Sequence, residues 1–375
     1  MRKKILIVDD SPFIRRILKD WFSSAGDFEV VGSAENGRQG WDMAVTLRPD
    51  IITLDVEMPI MDGLECLQNI MRDVPTPVIM VSSVTRKGAT QTIKALELGA
   101  VDFVTKPDGP NSVQIVTAKD EILEKARAAV GARFYGRPSA PARPTLTTRP
   151  LLDKRPAPKA PVPVEPEKPR HVIKPVLRPD LKTDKVVIIA SSTGGPRALT
   201  ALFSSLPKGF PAPILIVQHM PQGFTESFAK RLDSIGTVPC QEAREGERII
   251  PGLALIAPGG RHMIIKPDHT IGFTDDPQIH GVRPAADYLF KSAAAVYGSR
   301  CLGAVLTGMG KDGAQGALEV MKRGGLTLGE SEKSCVIYGM PKAAKDIGAI
   351  AEEFPIEQMA GALVSCLSRR NPSAA

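Results

Sequence analysis

Residues 186–199 read VVIIASSTGGPRAL, so that five apolar residues lead directly into small polar residues, two glycines and a proline. The apolar run predicts a buried β-strand, and the proline predicts a helix that begins at Pro196. The exposed N–H groups at such a helix start favour negative charge, either on a phosphate or on an oxyanion. The stretch therefore leaves three interpretations of Ser192: a nucleophile, part of a phosphate cradle, or a residue of a tight turn.

Apolar runs of this kind alternate with amphipathic segments in both halves of the chain. Near-continuous apolar strands between helices are typical of a parallel sheet that is covered on both faces. We predict an α/β protein with an N-terminal flavodoxin-like (βα)5 domain and a C-terminal doubly wound, mainly parallel α/β domain with a β-hairpin at residues 261–275. The expected strands lie at residues 4–8, 28–32, 50–54, 77–81, 101–105, 186–190, 213–217, 253–257, 302–306 and 325–328.

Composition separates these two domains. Residues 137–185 contain 12 Lys and Arg against 5 Asp and Glu, a difference that equals the net charge of +7 of the whole chain, and 12 of the 33 prolines. A segment of this composition cannot bury enough apolar surface to fold. We therefore predict folded domains at residues 1–125 and 185–372, joined by a flexible, proline-rich basic linker at residues 126–184.

The bulk composition also narrows the partners. A basic linker is a weaker sign of nucleic-acid binding than a basic folded face, so no nucleic-acid partner is expected. The five cysteines form no C-x-x-C pair, which disfavours a zinc site or a disulfide framework. No apolar run reaches 18 residues, and the N-terminal apolar run ends in two aspartates, so we expect a cytoplasmic protein without membrane insertion.

Polar residues follow four strands of the N-terminal domain. Because ligands bind beyond the carboxyl ends of parallel strands, these residues are expected to meet at one sheet edge. Clustered carboxylates with a hydroxyl and a lysine suit Mg²⁺ and the acceptance of a phosphoryl group. The residues are Asp9 and Asp10 after the first strand, Asp55 after the third, Ser82 and Ser83 after the fourth, and Lys106 after the fifth.

The motifs ILIVDDSP, LDVEMPIMDG, VIMVSS and DFVTKP resemble the receiver domain of two-component response regulators. The resemblance covers roughly residues 1–125 and implies a histidine kinase as phosphodonor. It implies Asp55 as the phospho-acceptor and Phe103 as a rotating aromatic. It also implies Mg²⁺ held by Asp10, Asp55 and the backbone carbonyl of Glu57, with Asp9, Ser82 and Lys106 in support.

The C-terminal domain offers Ser192 a base. A serine nucleophile needs a neighbouring general base, and His219 directly follows the strand at residues 213–217. Asp312, which follows the strand at residues 302–306, would meet both at the same sheet edge as the orienting acid. The other histidines lie elsewhere. His171 is in the linker, His262 and His269 are in or beside the hairpin, and His280 is in a loop.

Two other output functions compete with this interpretation. Receivers commonly control DNA-binding domains, but a near-neutral α/β domain of about 190 residues is too long for a helix-turn-helix module. The stretch GMGKDG at residues 308–313, with Glu330 about 20 residues further on, matches a dinucleotide-binding fingerprint. Too little chain follows it to complete a βαβαβ half.

The motifs SSTGGP, VQHMPQGFT, APGG, RPAADYLF and LTGMGKDGAQG resemble the catalytic domain of the chemotaxis protein-glutamate methylesterases. The resemblance spans roughly residues 184–370 and implies hydrolysis of glutamyl methyl esters, and deamidation of certain glutamines, on chemoreceptors. It places Ser192, His219 and Asp312 on the catalytic serine, histidine and aspartate, and it implies no cofactor for hydrolysis. Ser191 precedes Ser192, but the register of STGG favours Ser192.

An oxyanion formed at Ser192 would need backbone donors close by. We expect them in the segment Thr193–Gly195, with Thr193 and Gly194 as the main candidates, and at Met309 in the GMGKDG loop. An unphosphorylated receiver is expected to pack over the catalytic cleft, and phosphorylation of Asp55 to open it.

Overall fold

The computed structural model describes residues 2–83, 85–106, 112–131 and 184–368. Most of the expected linker, including His171, lies outside these residues. The domain limits drawn from composition therefore stay predictions.

The first domain is built of alternating strands and helices. Its described strands form one parallel sheet in the order β2-β1-β3-β4-β5. This is the flavodoxin-like order that the alternation predicted. In chain order the elements are β1 (Lys3–Val8), α1 (Pro12–Ala25), β2 (Phe28–Ala34), α2 (Gly37–Leu47), β3 (Ile51–Asp55), α3 (Gly63–Asp73), β4 (Val78–Ser82), α4 (Arg86–Leu98), β5 (Asp102–Thr105) and α5 (Ser112–Val130).

The near-continuous apolar strands are explained by burial on both faces of this sheet. Along β1, Ile5 and Ile7 pack in the cluster that includes residues of α1 and α5. Leu6 and Val8 point the other way, into the cluster that includes residues of α2, α3 and α4. Because side chains alternate along a strand, each face needs its own apolar set.

The second domain repeats this architecture on a larger scale. Its parallel sheet has the order β14-β13-β12-β6-β7-β9-β8, and β10 and β11 pair separately as an antiparallel hairpin. The elements are β6 (Val186–Ser191), α6 (Gly195–Ser205), β7 (Ile214–Gln218), α7 (Phe224–Ile235), β8 (Cys240–Glu242), β9 (Ala254–Ile256), β10 (His262–Ile265), β11 (Ile271–Thr274), α8 (Ala286–Tyr297), a 3-10 turn (Gly298–Arg300), β12 (Cys301–Val305), α9 (Ala314–Lys322), β13 (Leu326–Glu330), α10 (Met340–Asp346), β14 (Glu352–Phe354) and α11 (Ile356–Ser368).

The fold class is confirmed, with small differences at the edges. The strands β8 and β14 were not predicted, because each has only three residues and lies at an edge of the sheet. Helix α6 begins at Gly195 rather than at Pro196. None of the helices that the structure describes is both long enough and apolar enough to cross a membrane.

The centre of the second sheet fixes where the site lies. Strand β6 pairs with β12 on one side and with β7 on the other, and Ala190 lies in register with Val305 and Val217. The three strands therefore end at the same level, and the loops that follow them converge. This is the switch point at which open α/β sheets bind their ligands.

Candidate active site

The acidic residues of the first domain meet as expected. Carboxylate oxygens of Asp9, Asp10 and Asp55 all lie within 4.8 Å of one another. Lys106 Nζ lies 2.7 Å from Asp55 Oδ2 and 3.1 Å from Asp9 Oδ2. Asp9 Oδ2 is buried and has the Lys106 ammonium as its ion-pair partner, so one lysine is shared by two of the three neighbouring carboxylates. This donor set fits a hard divalent cation such as Mg²⁺.

The electrostatics of this pocket are unfavourable without such a cation. Burial and the neighbouring Asp9 charge raise the pKa of Asp55 to about 6, against the lowering effect of Lys106. Burial likewise raises the pKa of Asp9. A bound cation would relieve both effects, because it favours the ionised carboxylates.

Two further residues implied for this pocket are engaged elsewhere. The Ser82 hydroxyl is buried and accepts a hydrogen bond from the Thr92 hydroxyl at 2.8 Å. The Glu57 carboxylate pairs with Lys87 at 3.0 Å, while its backbone N–H donates to Asp55 Oδ1 at 3.3 Å. Only the backbone carbonyl of Glu57 was implied as a ligand, so its side-chain ion pair is compatible with that role.

The two adjacent serines of the second domain, Ser191 and Ser192, lie in different environments. Ser191 is the last residue of β6, is fully buried, and donates its hydroxyl to Gln218 Oε1 at 2.7 Å. Ser192 follows the strand and is only partly buried. Its backbone is held by the Thr307 carbonyl, which accepts from its N–H at 3.0 Å, and by Gln218 Nε2, which donates to its carbonyl at 3.0 Å. Ser192 is therefore the serine that faces the loops.

His219 and Asp312 meet beside Ser192. His219 follows β7, its backbone N–H donates to the Ser191 carbonyl at 3.1 Å, and its Nε2 lies 2.7 Å from Asp312 Oδ2. Because Nε2 faces a carboxylate, it carries the ring proton and leaves Nδ1 as the basic nitrogen. No hydrogen bond between His219 and the Ser192 hydroxyl is present within the described residues, a common looseness in free active sites.

Asp312 is buried and fully hydrogen-bonded. Its Oδ2 also accepts from the Ala286 N–H at 2.5 Å, and its Oδ1 accepts from the N–H groups of Asp287 at 3.1 Å and Gly313 at 2.9 Å. Burial works to raise the pKa of Asp312, but the bonds from His219, Ala286 and Asp287 outweigh it, and the pKa lies below its ordinary value. The carboxylate is therefore ionised and fixed in orientation.

The first turns of helices α8 and α9 are capped reciprocally, each by a carboxylate from the start of the other helix. Asp312, just before α9, accepts from the first turn of α8. Asp287, in the first turn of α8, accepts from the Gly316 N–H of α9 at 2.7 Å. Each carboxylate thus neutralises the positive N-terminal end of the other helix. The carboxylate that contacts His219 is therefore also part of the packing between two helices.

The expected oxyanion donors need one correction. The Gly195 N–H donates to the Ser192 carbonyl at 2.7 Å, so it is not free for a substrate, because the turn into α6 closes on it. The N–H groups of Thr193, Gly194 and Met309 have no hydrogen-bond partner among the described residues. Gly194 has a φ of +78°, a conformation that side chains rarely adopt, and a Cβ there would lie 2.5 Å from the Val336 side chain.

His262 is one of several site neighbours that sequence reasoning missed. Its Nδ1 accepts from the Ala285 N–H at 3.0 Å, and its Nε2 lies 3.2 Å from the Pro277 carbonyl. Burial lowers the pKa of His262, which keeps the ring neutral and able to accept. The ring thereby holds the start of α8, whose next N–H groups bind Asp312. No spacing rule could reveal this, because the contact links a hairpin strand to a loop 23 residues away.

The receiver domain touches the segment Ser192–Thr193 directly. The Thr193 hydroxyl donates to the Asp102 carboxylate of β5. Phe103, expected as a rotating aromatic, is buried and stacks on Phe224 of α7 with ring centroids 4.6 Å apart. Arg231 of α7 pairs with Glu97 of α4. The residue beside Ser192 is thus covered by the first domain.

The dinucleotide interpretation of GMGKDG does not hold. Glu330, the expected ribose-binding acid, is fully buried and binds the Thr307 N–H and the Ser334 hydroxyl. Gly308 is packed so closely that a Cβ would lie 2.8 Å from Ser192 Cβ. Gly308 thus serves the close approach of the loop to Ser192 rather than an open phosphate cradle.

The fold and the two sites define a class of protein: a response regulator whose receiver precedes an α/β domain with a serine-histidine-aspartate arrangement. The family described as response regulator receiver domain matches residues 5–118, and the family described as CheB methylesterase matches residues 187–363.

Relatives match almost the whole chain. The protein-glutamate methylesterase/protein-glutamine glutaminase of Pyrococcus horikoshii is 43% identical and covers 97% of this chain and 93% of its own. That of Symbiobacterium thermophilum is 42% identical, with 96% of each chain covered. The crystal structure of the Thermotoga maritima CheB methylesterase catalytic domain is 43% identical and covers 48% of this chain and 97% of its own, with a TM-score of 0.47. The chain belongs to the protein-glutamate methylesterase/protein-glutamine glutaminase family.

Proposed function

We propose that this chain is a cytoplasmic, phosphorylation-activated hydrolase that removes methyl groups from glutamate methyl esters of chemoreceptors and deamidates specific glutamines. The observation that carries the proposal is the contact of His219 with the buried Asp312 at the strand ends next to Ser192. The names of its relatives support the substrate class. A histidine kinase is the proposed phosphodonor, as the receiver family implies.

The acylation step follows from the orientation of the ring. His219 Nδ1 takes the proton of the Ser192 hydroxyl while Oγ bonds to the ester carbonyl carbon. Asp312 holds the Nε2 proton and stabilises the imidazolium. The N–H groups of Thr193, Gly194 and Met309 are proposed to donate to the oxyanion. The imidazolium then protonates the departing methoxide, and methanol leaves as the carbon–oxygen bond breaks.

The second half of the reaction reverses these roles. His219 removes a proton from water as the water oxygen attacks the acyl carbon, and it returns that proton to Ser192 Oγ when the acyl bond breaks. The product is a glutamate carboxylate. A glutamine substrate follows the same route with ammonia as the leaving group.

The first domain supplies the switch. Asp10, Asp55 and the Glu57 carbonyl are proposed to hold Mg²⁺, which when bound neutralises charge on the phosphoryl oxygens. Asp55 is the proposed phospho-acceptor, Lys106 pairs with the phosphoryl group, and Asp9 and Ser82 support them. Phosphorylation is proposed to disfavour the contacts of Asp102 with Thr193 and of Phe103 with Phe224, and so to expose the cleft.

The direct test is methanol release from a methylated chemoreceptor fragment, with and without acetyl phosphate and Mg²⁺. Release that increases on phosphorylation supports the enzyme, its substrate class and the switch together. No release in either state would overturn the proposed activity, although the receiver would remain.

Asp312→Asn is expected to lower kcat by about 10⁴-fold, because an amide no longer holds the ring proton on Nε2. The melting temperature should also fall, since Asp312 accepts from the start of α8. The matched control is Asp287→Asn, which disturbs the same helix pair through Gly316 but leaves His219 its carboxylate. If both variants lose activity equally, Asp312 acts only through the fold.

Acidification is expected to weaken Mg²⁺ binding to the full-length chain. The pKa of Asp55 is raised to about 6, so the carboxylate is ionised above this pH and protonated below it. The affinity measured by titration calorimetry should therefore fall below about pH 6, by up to about tenfold per unit. Asp50→Asn, which alters an exposed carboxylate beside Lys4, should leave the profile unchanged. An affinity that is constant down to pH 5 contradicts the assignment of Asp55 as a ligand.

A further inference from the structure

Glu330 is a buried carboxylate that the proposed mechanism does not use. It is the last residue of β13, next to the end of β12, and none of its surface is exposed. Its Oε2 accepts from the Thr307 N–H at 2.8 Å, and its Oε1 accepts from the Ser334 hydroxyl at 2.8 Å. No described lysine, arginine or histidine forms an ion pair with it. A buried carboxylate without a counter-ion is costly to ionise, and burial raises the pKa of Glu330 to about 7, so a group of this kind calls for a role.

The partner of Glu330 is a junction of the active-site loops. The Thr307 carbonyl accepts from the Ser192 N–H at 3.0 Å. The Thr307 hydroxyl lies in donor range of two carbonyls, that of Thr193 at 3.0 Å and that of Ile337 at 3.2 Å. The same hydroxyl accepts from the Ile337 N–H at 3.0 Å. The N–H, carbonyl and hydroxyl of Thr307 are thus all used, and two of these contacts reach the nucleophile segment.

The loop that follows Thr307 carries Met309. Gly308 donates its N–H to the Ile337 carbonyl at 3.1 Å, and its own carbonyl accepts from Gly339 and Met340. A shift of Thr307 would therefore move the Ser192 backbone and the Met309 N–H together. A misplacement of about 1 Å at reacting groups can reduce a rate by about 100-fold.

We propose that Glu330 is a positioning residue of the hydrolytic site. Its carboxylate fixes the Thr307 N–H, and Thr307 fixes both the Ser192–Thr193 segment and the loop that begins at Gly308. The inference rests on the proposed function, because it assumes that Ser192 is the nucleophile. The acid that the dinucleotide fingerprint assigned to ribose thus acts on the nucleophile from within the core.

The test compares Glu330→Ala, Glu330→Gln and Ser334→Ala in the full-length chain, with acetyl phosphate and Mg²⁺ present. The first removes the acceptor of Thr307, the second retains an acceptor oxygen, and the third disturbs the same buried cluster on the side away from Thr307. The readouts are the rate of covalent labelling of Ser192 by a fluorophosphonate, kcat and KM for methanol release, and the melting temperature.

Glu330→Ala is expected to lower the labelling rate and kcat by about 10- to 100-fold with KM changed less than about twofold. Glu330→Gln should recover most of the rate, and Ser334→Ala should lose stability but keep the rate. A Glu330→Ala variant that melts earlier yet is labelled as fast as the wild type overturns the proposal, as does an equal loss of rate in Ser334→Ala.

Two further outcomes are decided by the same design. If Glu330→Ala does not fold, Glu330→Asp withdraws the carboxylate from Thr307 by one carbon–carbon bond, and an unchanged labelling rate then overturns the proposal. If the wild type is not labelled at Ser192, the proposed function fails and this inference fails with it. If the wild type and Glu330→Ala are both labelled at the normal rate, the positioning role of Glu330 is overturned while the proposed function stands.

Discussion

Ser192→Ala should eliminate methanol release, with a fall in kcat of about 10⁶-fold, the loss measured when a hydrolase loses its nucleophile. The variant removes only the hydroxyl oxygen of a partly buried side chain, and the backbone bonds of Ser192 to Thr307 and Gln218 do not depend on that atom. The melting temperature should therefore stay close to that of the wild type. Methanol release and a thermal melt of the same preparation measure the two effects.

The neighbouring serine provides the matched control. Ser191→Ala removes a fully buried hydroxyl that donates to Gln218 Oε1, so it should lower stability by about 1 kcal/mol and change kcat only modestly. The reverse pattern, in which Ser191→Ala is inactive and Ser192→Ala is active, would assign the nucleophile to Ser191. Activity in both variants would exclude a serine mechanism.

Phosphorylation of Asp55 should increase methanol release by about 10- to 1000-fold, and Asp55→Asn should abolish the increase. The range follows from a closed state whose open alternative is populated at about 0.1–10%. The closed state is the one with Asp102 bonded to Thr193 and Phe103 stacked on Phe224. Release by both proteins, with and without acetyl phosphate and Mg²⁺, gives the ratio.

The contact between the domains can be tested separately from the chemistry at Asp55. Arg231→Glu places a like charge against Glu97 at the edge of the interface and should raise the unphosphorylated rate. Arg261→Glu makes the same charge change within the second domain, where Arg261 pairs with exposed Asp275, and should not raise it. An unchanged rate in Arg231→Glu, in a folded protein, would argue that these contacts do not restrain the cleft.

The residues at the strand ends could be predicted from the sequence, but the contacts that hold them in place could not. Asp9, Asp55, Ser192 and His219 each follow an apolar run, and parallel strands bring such residues to one edge. Their catalytic and ligand roles stay predictions, but their approach in space follows from the pattern alone.

The remaining parts of the site depend on long-range backbone bonds. His262 binds the Ala285 N–H and Glu330 binds the Thr307 N–H, across 23 residues of chain in each case. Any residue type can supply a backbone N–H, so neither partner carries a signal in the sequence. The bond from Thr193 to Asp102 spans 91 residues and depends on how two separately patterned domains pack.

The reciprocal capping of α8 and α9 by Asp312 and Asp287 has a consequence for the evolution of this chain as well as for catalysis. Asp312 and Asp287 each secure the first turn of the other's helix, so these two acids hold the scaffold whether or not any ester is hydrolysed. A descendant of this chain that abandoned hydrolysis could replace Ser192 or His219 with little harm to its architecture. It would still be obliged to keep both aspartates, so the presence of these two acids in a relative would not by itself show that the relative hydrolyses esters.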